Sequence, residues 1–288
     1  MSRLCWNASK LSVIMSAVCD LCPHTCRIPE GQNGFCGVRT CRQGRIVSAA
    51  YGKISSMALD PIEKKPLRRF YPGSQILSIG SMGCNLRCPF CQNHEISMHR
   101  DAAFTDCMTP QEIVDTALRL KPQGNIGIAY TYNEPLINFE FILDTCRLAR
   151  QQGLKNVIVT NGCIKEHKLL ELLPHVDAVN IDIKAFHEAG YQRLQGDFKT
   201  VRQSVELAVK HTHVEITSLM VPGLQDDLQL IEQEAAWLAS LSPDIVLHLT
   251  RFFPSYHMQK ESATKKELIL KAVAAASNWL NYVYAGNI

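Results

Sequence analysis

Apolar and polar positions change rhythm near residue 75. Upstream, turn residues interrupt every apolar stretch. From there on, short apolar runs of strand length alternate with longer stretches of helical period. The runs 75–80, 126–130, 156–160, 178–183, 214–219 and 244–250 read as strands, with 282–284 a short final one. Near-continuous apolar character is what strands buried on both faces require. Between them lie helical segments. One opens at Thr109-Pro110-Gln111-Glu112, a start signal with proline at the first helical position. Others span 137–152 (ended by Gly153), 166–173, the text through 210, 229–241 and 265–280. Six to seven β–α units predict an α/β fold, a parallel sheet with outer helices. Eight units would close a barrel, so this count predicts an open, partial (β/α)6-type TIM barrel. Residues 45–58 alternate around Gly52 and predict a short hairpin. Residues 60–69, charged and with two prolines, predict a loop or linker whose Lys64, Lys65, Arg68 and Arg69 form a solvated face. The expected organisation is a small Cys-rich metal-binding segment with its hairpin over 1–72 and the barrel over 73–288.

The chemistry begins directly after the first barrel strand. Cys84, Cys88 and Cys91 stand at C-x3-C-x2-C. Three thiolates on one short loop suit an iron–sulfur cube with one open iron better than structural zinc, which usually takes four protein ligands. A zinc knuckle or three buried thiols are the competing readings; no fourth ligand lies at zinc-ribbon spacing, and His94 is three residues past Cys91. A second set, Cys19, Cys22, Cys26 and Cys36, stands at C-x2-C-x3-C-x9-C. Four thiolates fit either structural zinc or a second iron–sulfur cluster, and ligand count does not decide between them. Cys41 is a spare thiol and His24 a bystander inside the loop. Cys5, Cys107, Cys146 and Cys163 read as small apolar groups, with Cys163 beside the turn after the third strand.

Twelve Cys in 288 residues, grouped at metal-ligand spacings, argue for a reducing, cytoplasmic compartment. A net charge of +3 gives no strong global attraction to nucleic acid or to a membrane, although a local patch remains compatible with an RNA substrate. No apolar run reaches the ~18 residues of a spanning helix. Residues 1–17 lack the apolar core of a signal peptide, and Asn7-Ala8-Ser9 is a glycosylation sequon only in a secreted protein.

In a βα array chemistry gathers at the carboxyl ends of the strands. There the sequence offers Tyr132-Asn133-Glu134-Pro135, Asn161-Gly162, Asp182 with Lys184, Glu215 with Thr217, and His248 with Arg251. Each has a plainer reading: Glu134 as a helix cap, Asn161-Gly162 as a turn, Asp182 and Lys184 as a pair, His248 as a core histidine. As a set on one rim they describe a site for a small, charged, multi-point ligand.

The C-x3-C-x2-C loop with Phe90 before its third cysteine resembles the cluster loop of radical S-adenosylmethionine (SAM) enzymes. The segments 31–39 (GQNGFCGVR), 60–67 (DPIEKKPL), 71–74 (YPGS) and 88–93 (CPFCQN) resemble those of the AmmeMemoRadiSam system radical SAM enzymes, relatives of the pyruvate formate-lyase-activating enzyme. The likeness runs from about Cys19 to Asn287; the sequence ends at Ile288, before the cysteine-containing tail that many members carry. The resemblance implies a [4Fe-4S] cluster on Cys84, Cys88 and Cys91, reductive cleavage of SAM to a 5′-deoxyadenosyl radical, and hydrogen abstraction from an unknown substrate, protein or RNA among the options. It implies SAM contacts from Phe90 (adenine, through its backbone), Asn133 and Glu134 (amino group), Asn161 (ribose), Asp182 with Lys184 (carboxylate) and, by a looser alignment, His248. Where the related enzymes carry Gly-Gly-Glu-Pro, Tyr132 and Asn133 replace both glycines. A flavodoxin- or ferredoxin-type electron donor and Memo-type and AMMECR-type partners are implied as well, and the basic run at 64–69 gains a role at the site mouth. Two alternatives stay open: an activase of glycyl-radical enzymes, and a non-catalytic metal-binding module that uses the cysteines as structure.

Overall fold

The computed structural model describes residues 15–98 and 106–288. Cys5 and the Asn7 sequon lie outside the described residues.

Strands β1 (Ser16–Val18) and β2 (Arg27–Pro29) pair antiparallel, as do β3 (Arg39–Arg42) and β4 (Arg45–Ser48). Strand β5 (Lys53–Ile54) is followed by β6 (Ser56–Pro61) and β7 (Gln75–Gly80), then by the short helix α1 (His94–Met98) and β8 (Asp106–Cys107), which pairs with β5. The repeating part continues as α2 (Pro110–Arg119), β9 (Asn125–Tyr130), α3 (Phe139–Gln151), β10 (Lys155–Thr160), α4 (Glu166–Leu172) and β11 (Ala178–Ile183). It ends with α5 (Glu188–Arg193), α6 (Phe198–Ala208), β12 (His213–Met220), α7 (Leu228–Leu241), β13 (Val246–Arg251), α8 (Lys266–Ala276) and β14 (Tyr282–Gly286). One eight-stranded sheet runs in the order β14-β13-β12-β11-β10-β9-β7-β6. All its pairings are parallel except the edge pair β6–β7. The sheet does not close: β14 and β6 are its two edges.

The local chemistry explains these elements. Thr109 caps α2 in a full capping box with Glu112, and Pro110 sits where its missing N–H costs nothing. Asp197 and Asp227 cap α6 and α7. Helix α8 buries Ile269, Ala272 and Ala276 at helical spacing. The central strands bury both faces. Outward, Leu77, Ile128, Ile158 and Val179 join the large core under the helices. Inward, Ile76, Ala129, Val157 and Ala178 form a second cluster with Ile62, Leu67 and Phe70.

That inner cluster corrects two expectations. Residues 45–58 are not a hairpin: β4 pairs upstream with β3, β5 pairs with β8, and β6 adds to the main sheet. Alternation predicts a strand but does not choose its partner. Residues 60–69 leave β6 and run as a loop with Lys64, Arg68 and Arg69 exposed, as expected, but the segment is anchored and Lys65 is not on the solvated face. Ile62 and Leu67 are fully buried, and at ~1.5–3 kcal/mol per side chain their burial holds the segment as a floor inside the sheet. Asn180 Nδ2 donates to Pro66 O at 2.9 Å, fixing that floor to β11. Lys65 is only 3% exposed, because it pairs with Asp60 at 2.9 Å. Among the described residues no helix is long and apolar enough to cross a membrane.

Candidate active site

At the carboxyl ends of the strands lies a cleft of about 580 Å³. Cys84, Cys88 and Cys91 line it, and so do Phe90, Asn133, Glu134, Asn161, Asp182, Lys184 and His248. Tyr132 and Thr217 line it as well, whereas Glu215 and Arg251, also singled out at the strand ends, do not. Cys19, Cys22, Cys26 and Cys36 do not border it.

The cysteine loop leaves β7 at Gly80 and is fixed from several sides. Asn133 Nδ2 donates to the carbonyls of Met82 and Gly83, each at 3.0 Å, and its Oδ1 accepts the Ser81 N–H at 2.9 Å. Asn133 thus commits its amide to the loop backbone. Asn93 Nδ2 donates to Tyr132 O at 2.7 Å, tying the far end of the loop to the same turn. Tyr132 holds a left-handed backbone (φ 70°), a conformation costly for a bulky residue and retained only where the surroundings impose it. Its hydroxyl donates to Asp60 Oδ2 at 2.7 Å, and Lys65 Nζ stands 4.7 Å above its ring. After β13, Ser255 Oγ donates to Cys91 O at 3.2 Å, and His257 N donates to Pro89 O at 2.9 Å, so that strand's loop rests on the cysteines.

Glu134 is both cap and cleft residue. It accepts the Leu136 N–H (3.0 Å), the Thr160 hydroxyl (2.7 Å) and the Asn161 N–H (2.8 Å). Burial pushes its carboxyl up to about 7 against those three donors. Asn161 Nδ2 donates to Asn85 Oδ1 at 2.9 Å and lies 3.8 Å from Cys84 Sγ. Asp182 and Lys184 form an ion pair at 3.0 Å across one strand face. Burial works against the Lys184 ammonium, yet Asp182 and the neighbouring thiols outweigh it and hold it above the ordinary lysine range. His248 Nε2 lies 2.6 Å from Glu215 Oε2.

Two residues to which the sequence assigns no role of their own organise this site: Glu215, named only as one of the strand-end groups, and Asn85. Glu215, fully buried on β12, takes His248, His213 and the main-chain N–H groups of Arg68 and Arg69. Its alternation with Thr217 along the strand was the available signal. Asn85 links the two cysteine segments: its Nδ2 donates to Cys163 O at 2.7 Å, its Oδ1 accepts from Asn161, and its carbonyl meets His24 Nε2 at 2.9 Å. Nothing in the pattern beyond its place after Cys84 marked it. His24, the bystander, stacks on Phe35 at 4.1 Å. Cys41, Cys146 and Cys163 are buried, whereas Cys107 is exposed.

Residues 78–233 match the model of the Radical SAM superfamily. The chain belongs to the radical SAM superfamily. It is 40% identical over 274 residues to an uncharacterized protein of Methanocaldococcus jannaschii, covering 94% of this chain and 81% of that one. To the pyruvate formate-lyase-activating enzyme of Clostridium pasteurianum it is 30% identical over 158 residues, 53% of this chain and 65% of the enzyme, so it spans just under two thirds of that relative. Among solved structures, Streptococcus suis SuiB bound to S-adenosylmethionine superposes with a TM-score of 0.59 at 12% identity, over 74% of this chain and 52% of that one. Escherichia coli QueE gives 0.52 at 16% identity, over 81% and 92%. These two share the fold. The protein is a radical SAM enzyme, and members of this superfamily use a [4Fe-4S] cluster and SAM.

The residues fit that cofactor pair. Among the described residues no group of three or more His, Cys, Asp or Glu closes to the spacing of a single bound ion. That holds for Cys84, Cys88 and Cys91 and for Cys19, Cys22, Cys26 and Cys36 alike; what the loop offers is its donor set, three soft thiols facing one cleft, which is what an iron–sulfur cluster takes.

Proposed function

We propose that Cys84, Cys88 and Cys91 hold the [4Fe-4S] cluster of this enzyme and that Phe90, Glu134, Asn161, Asp182, Lys184 and His248 form its SAM site. The observation that carries this reading is the shared cleft: three soft ligands and, beside them, a carboxylate and an ammonium suited to the two ends of an amino acid. When bound, the cluster and SAM supply one-electron cleavage of the sulfonium and a 5′-deoxyadenosyl radical that abstracts hydrogen. The chain's own work is binding and orientation. Glu134, held by three donors, offers its remaining acceptor site to an ammonium group, and Lys184, steadied by Asp182, meets a carboxylate. Asn161 faces the ribose and also carries the Glu134 contact. Asn133 acts by holding the carbonyls of the cysteine loop.

The test is anaerobic reconstitution with iron and sulfide, followed by measurement of 5′-deoxyadenosine under reduction. Cys84→Ala, Cys88→Ala and Cys91→Ala each abolish product. Undiminished product from any one of them refutes the ligand assignment. We assign Cys19, Cys22, Cys26 and Cys36 to a second metal; about four irons with one zinc, or about eight irons, separate zinc from a second cluster. The motifs quoted above support membership of the AmmeMemoRadiSam group, with Memo-type and AMMECR-type partners and a flavodoxin- or ferredoxin-type donor. The grouped cysteines support a reducing, cytoplasmic setting.

A second reading, activation of a glycyl-radical enzyme, is favoured by the 30% identity to a pyruvate formate-lyase-activating enzyme. A glycyl-radical signal generated in a partner protein distinguishes it from small-molecule or RNA modification.

A further inference from the structure

The floor of the cleft carries charges that the SAM site does not use. Lys64, Lys65 and Arg68, all from the segment between β6 and β7, line the cleft. Of the carboxylates in the same segment, Glu63 also lines the cleft and Asp60 does not. Glu63 Oε1 accepts the Gly73 N–H at 2.7 Å. Asp60 takes the Tyr132 hydroxyl at 2.7 Å, Lys65 at 2.9 Å and Lys64 at 3.4 Å. Lys65 is a buried ammonium with three N–H donors, of which Asp60 takes one while the Tyr132 ring lies 4.7 Å away on another side. A buried charge left with open donors is costly unless a ligand completes it.

Arg68 is the second member. Its main-chain N–H donates to the buried Glu215 at 2.9 Å, and its guanidinium stands 5.4 Å from the Tyr284 ring on β14. No carboxylate lies within ion-pair distance of that guanidinium among the described residues. Its neighbour Arg69 stacks on Tyr282 at 3.9 Å. The segment therefore crosses from the β6 edge to the β14 edge, and its cations stand at the seam where the sheet stays open. The proposed SAM contacts come from the ends of β7, β9, β10, β11 and β13.

We propose that Lys65 and Arg68 form an oxyanion-binding corner at the seam of the cleft, and that the enzyme's substrate carries a phosphate or a carboxylate group that docks there. This rests on the radical SAM reading of the cleft given above, which supplies the reason for a substrate to lie beside the SAM site. Lys65 presents a fixed point charge and Arg68 a planar fork, a pair suited to a multi-oxygen anion. Tyr132, whose hydroxyl is already committed to Asp60, walls the corner on the side of Glu134.

The test uses the full chain, anaerobically reconstituted and loaded with SAM. Inorganic phosphate and, separately, glutarate are titrated calorimetrically into the wild type, Arg68→Met, and the double variant Lys65→Met/Arg68→Met. We expect about a tenfold or greater loss of anion affinity in the double variant and a smaller loss in Arg68→Met, with Arg68→Lys recovering much of it. The anion that binds more tightly to the wild type identifies the source of the oxyanion. Equal affinity in the wild type and Arg68→Met, or no anion binding to the wild type, overturns the proposal. Arg68→Met alters an exposed side chain, so the test stands even if the double variant fails to fold. SAM binding is titrated separately on the same wild-type preparation. Its failure counts against the SAM-site reading, while anion binding by SAM-free protein still reports on the corner.

Discussion

Glu215→Gln tests how the floor is held to the barrel. Each carboxylate oxygen of Glu215 takes one main-chain donor and one histidine: Oε1 meets Arg69 N (2.7 Å) and His213 Nε2 (3.0 Å), and Oε2 meets Arg68 N (2.9 Å) and His248 Nε2 (2.6 Å). Glutamine is nearly isosteric but keeps one acceptor. Whichever way its amide turns, the NH2 faces a backbone N–H and an imidazole nitrogen, and a backbone N–H has no other form to adopt. Two hydrogen bonds to a charged group are lost and a buried donor is stranded, which costs about 3–5 kcal/mol. Titration gives a second measure. Burial alone would raise the Glu215 carboxyl, but the four donors outweigh it and lower it from 4.5 to about 2. At ~1.4 kcal/mol per unit that shift is worth about 3 kcal/mol, in line with the first figure. The sign follows from the depressed value: the contribution is fully present above about pH 4.5 and is lost as pH falls through the window down to about 2. Urea unfolding at neutral pH, with hydrogen exchange of the 62–74 segment, is the assay. The variant loses several kcal/mol and its segment exchanges faster, and the gap to wild type narrows below about pH 4. A loss below ~1 kcal/mol at neutral pH, or a gap that stays constant into acid, refutes the argument.

Glu234 carries the opposite linkage. Burial raises its carboxyl to about 8 against donors from Ser218 and Gln225, so wild-type stability falls as pH climbs from the ordinary glutamate range to about 8; Glu234→Gln removes that slope, and its advantage over wild type in urea unfolding widens from about 2 kcal/mol at pH 6 to about 4–5 kcal/mol at pH 9. Gly83 has φ 82° and an added Cβ would meet Cys36 O at 2.6 Å, so Gly83→Ala destabilises by about 1–3 kcal/mol and lowers the iron retained after anaerobic gel filtration, by forcing the N-terminal cysteine segment off the cluster loop. Thr109→Ala removes the capping box of α2 at an exposed position and costs about 1 kcal/mol in the same unfolding assay, with 5′-deoxyadenosine formation unchanged.

The legible part of the chain is the part whose physics is local. The strand runs are legible because burial on both faces demands near-continuous apolar residues, as in residues 126–130 of β9 and Val157-Ile158-Val159 of β10. The α2 boundary was legible because a capping box is written in four consecutive residues. The strand-end residues could be placed on one rim because a parallel βα array delivers every such end to the same side. What stayed hidden depends on distant partners. Residues 45–58 read as one hairpin, since the pairing of β6 with β7 is fixed by the sheet and not by the segment's own alternation. The segment over 60–69 looked solvated because charge dominates its composition, and only the inner face of the barrel gives Ile62, Leu67 and Phe70 somewhere to go.

Charge misleads there for a further reason that bears on function. A lysine is read as surface because an unpaired buried ammonium is prohibitively costly. Lys65 escapes that rule through Asp60, and Asp60 in turn is fixed by Tyr132, the residue that replaces a glycine of the related motif. Glycine at that position would meet the left-handed backbone without strain; tyrosine meets it at a cost and gives in return a hydroxyl that reaches the floor. The departure from the related motif and the burial of Lys65 are therefore one structural event. A Tyr132→Gly change relaxes the turn yet releases Asp60 and Lys65, so the loss of the floor contact, rather than the gain in backbone freedom, decides its sign.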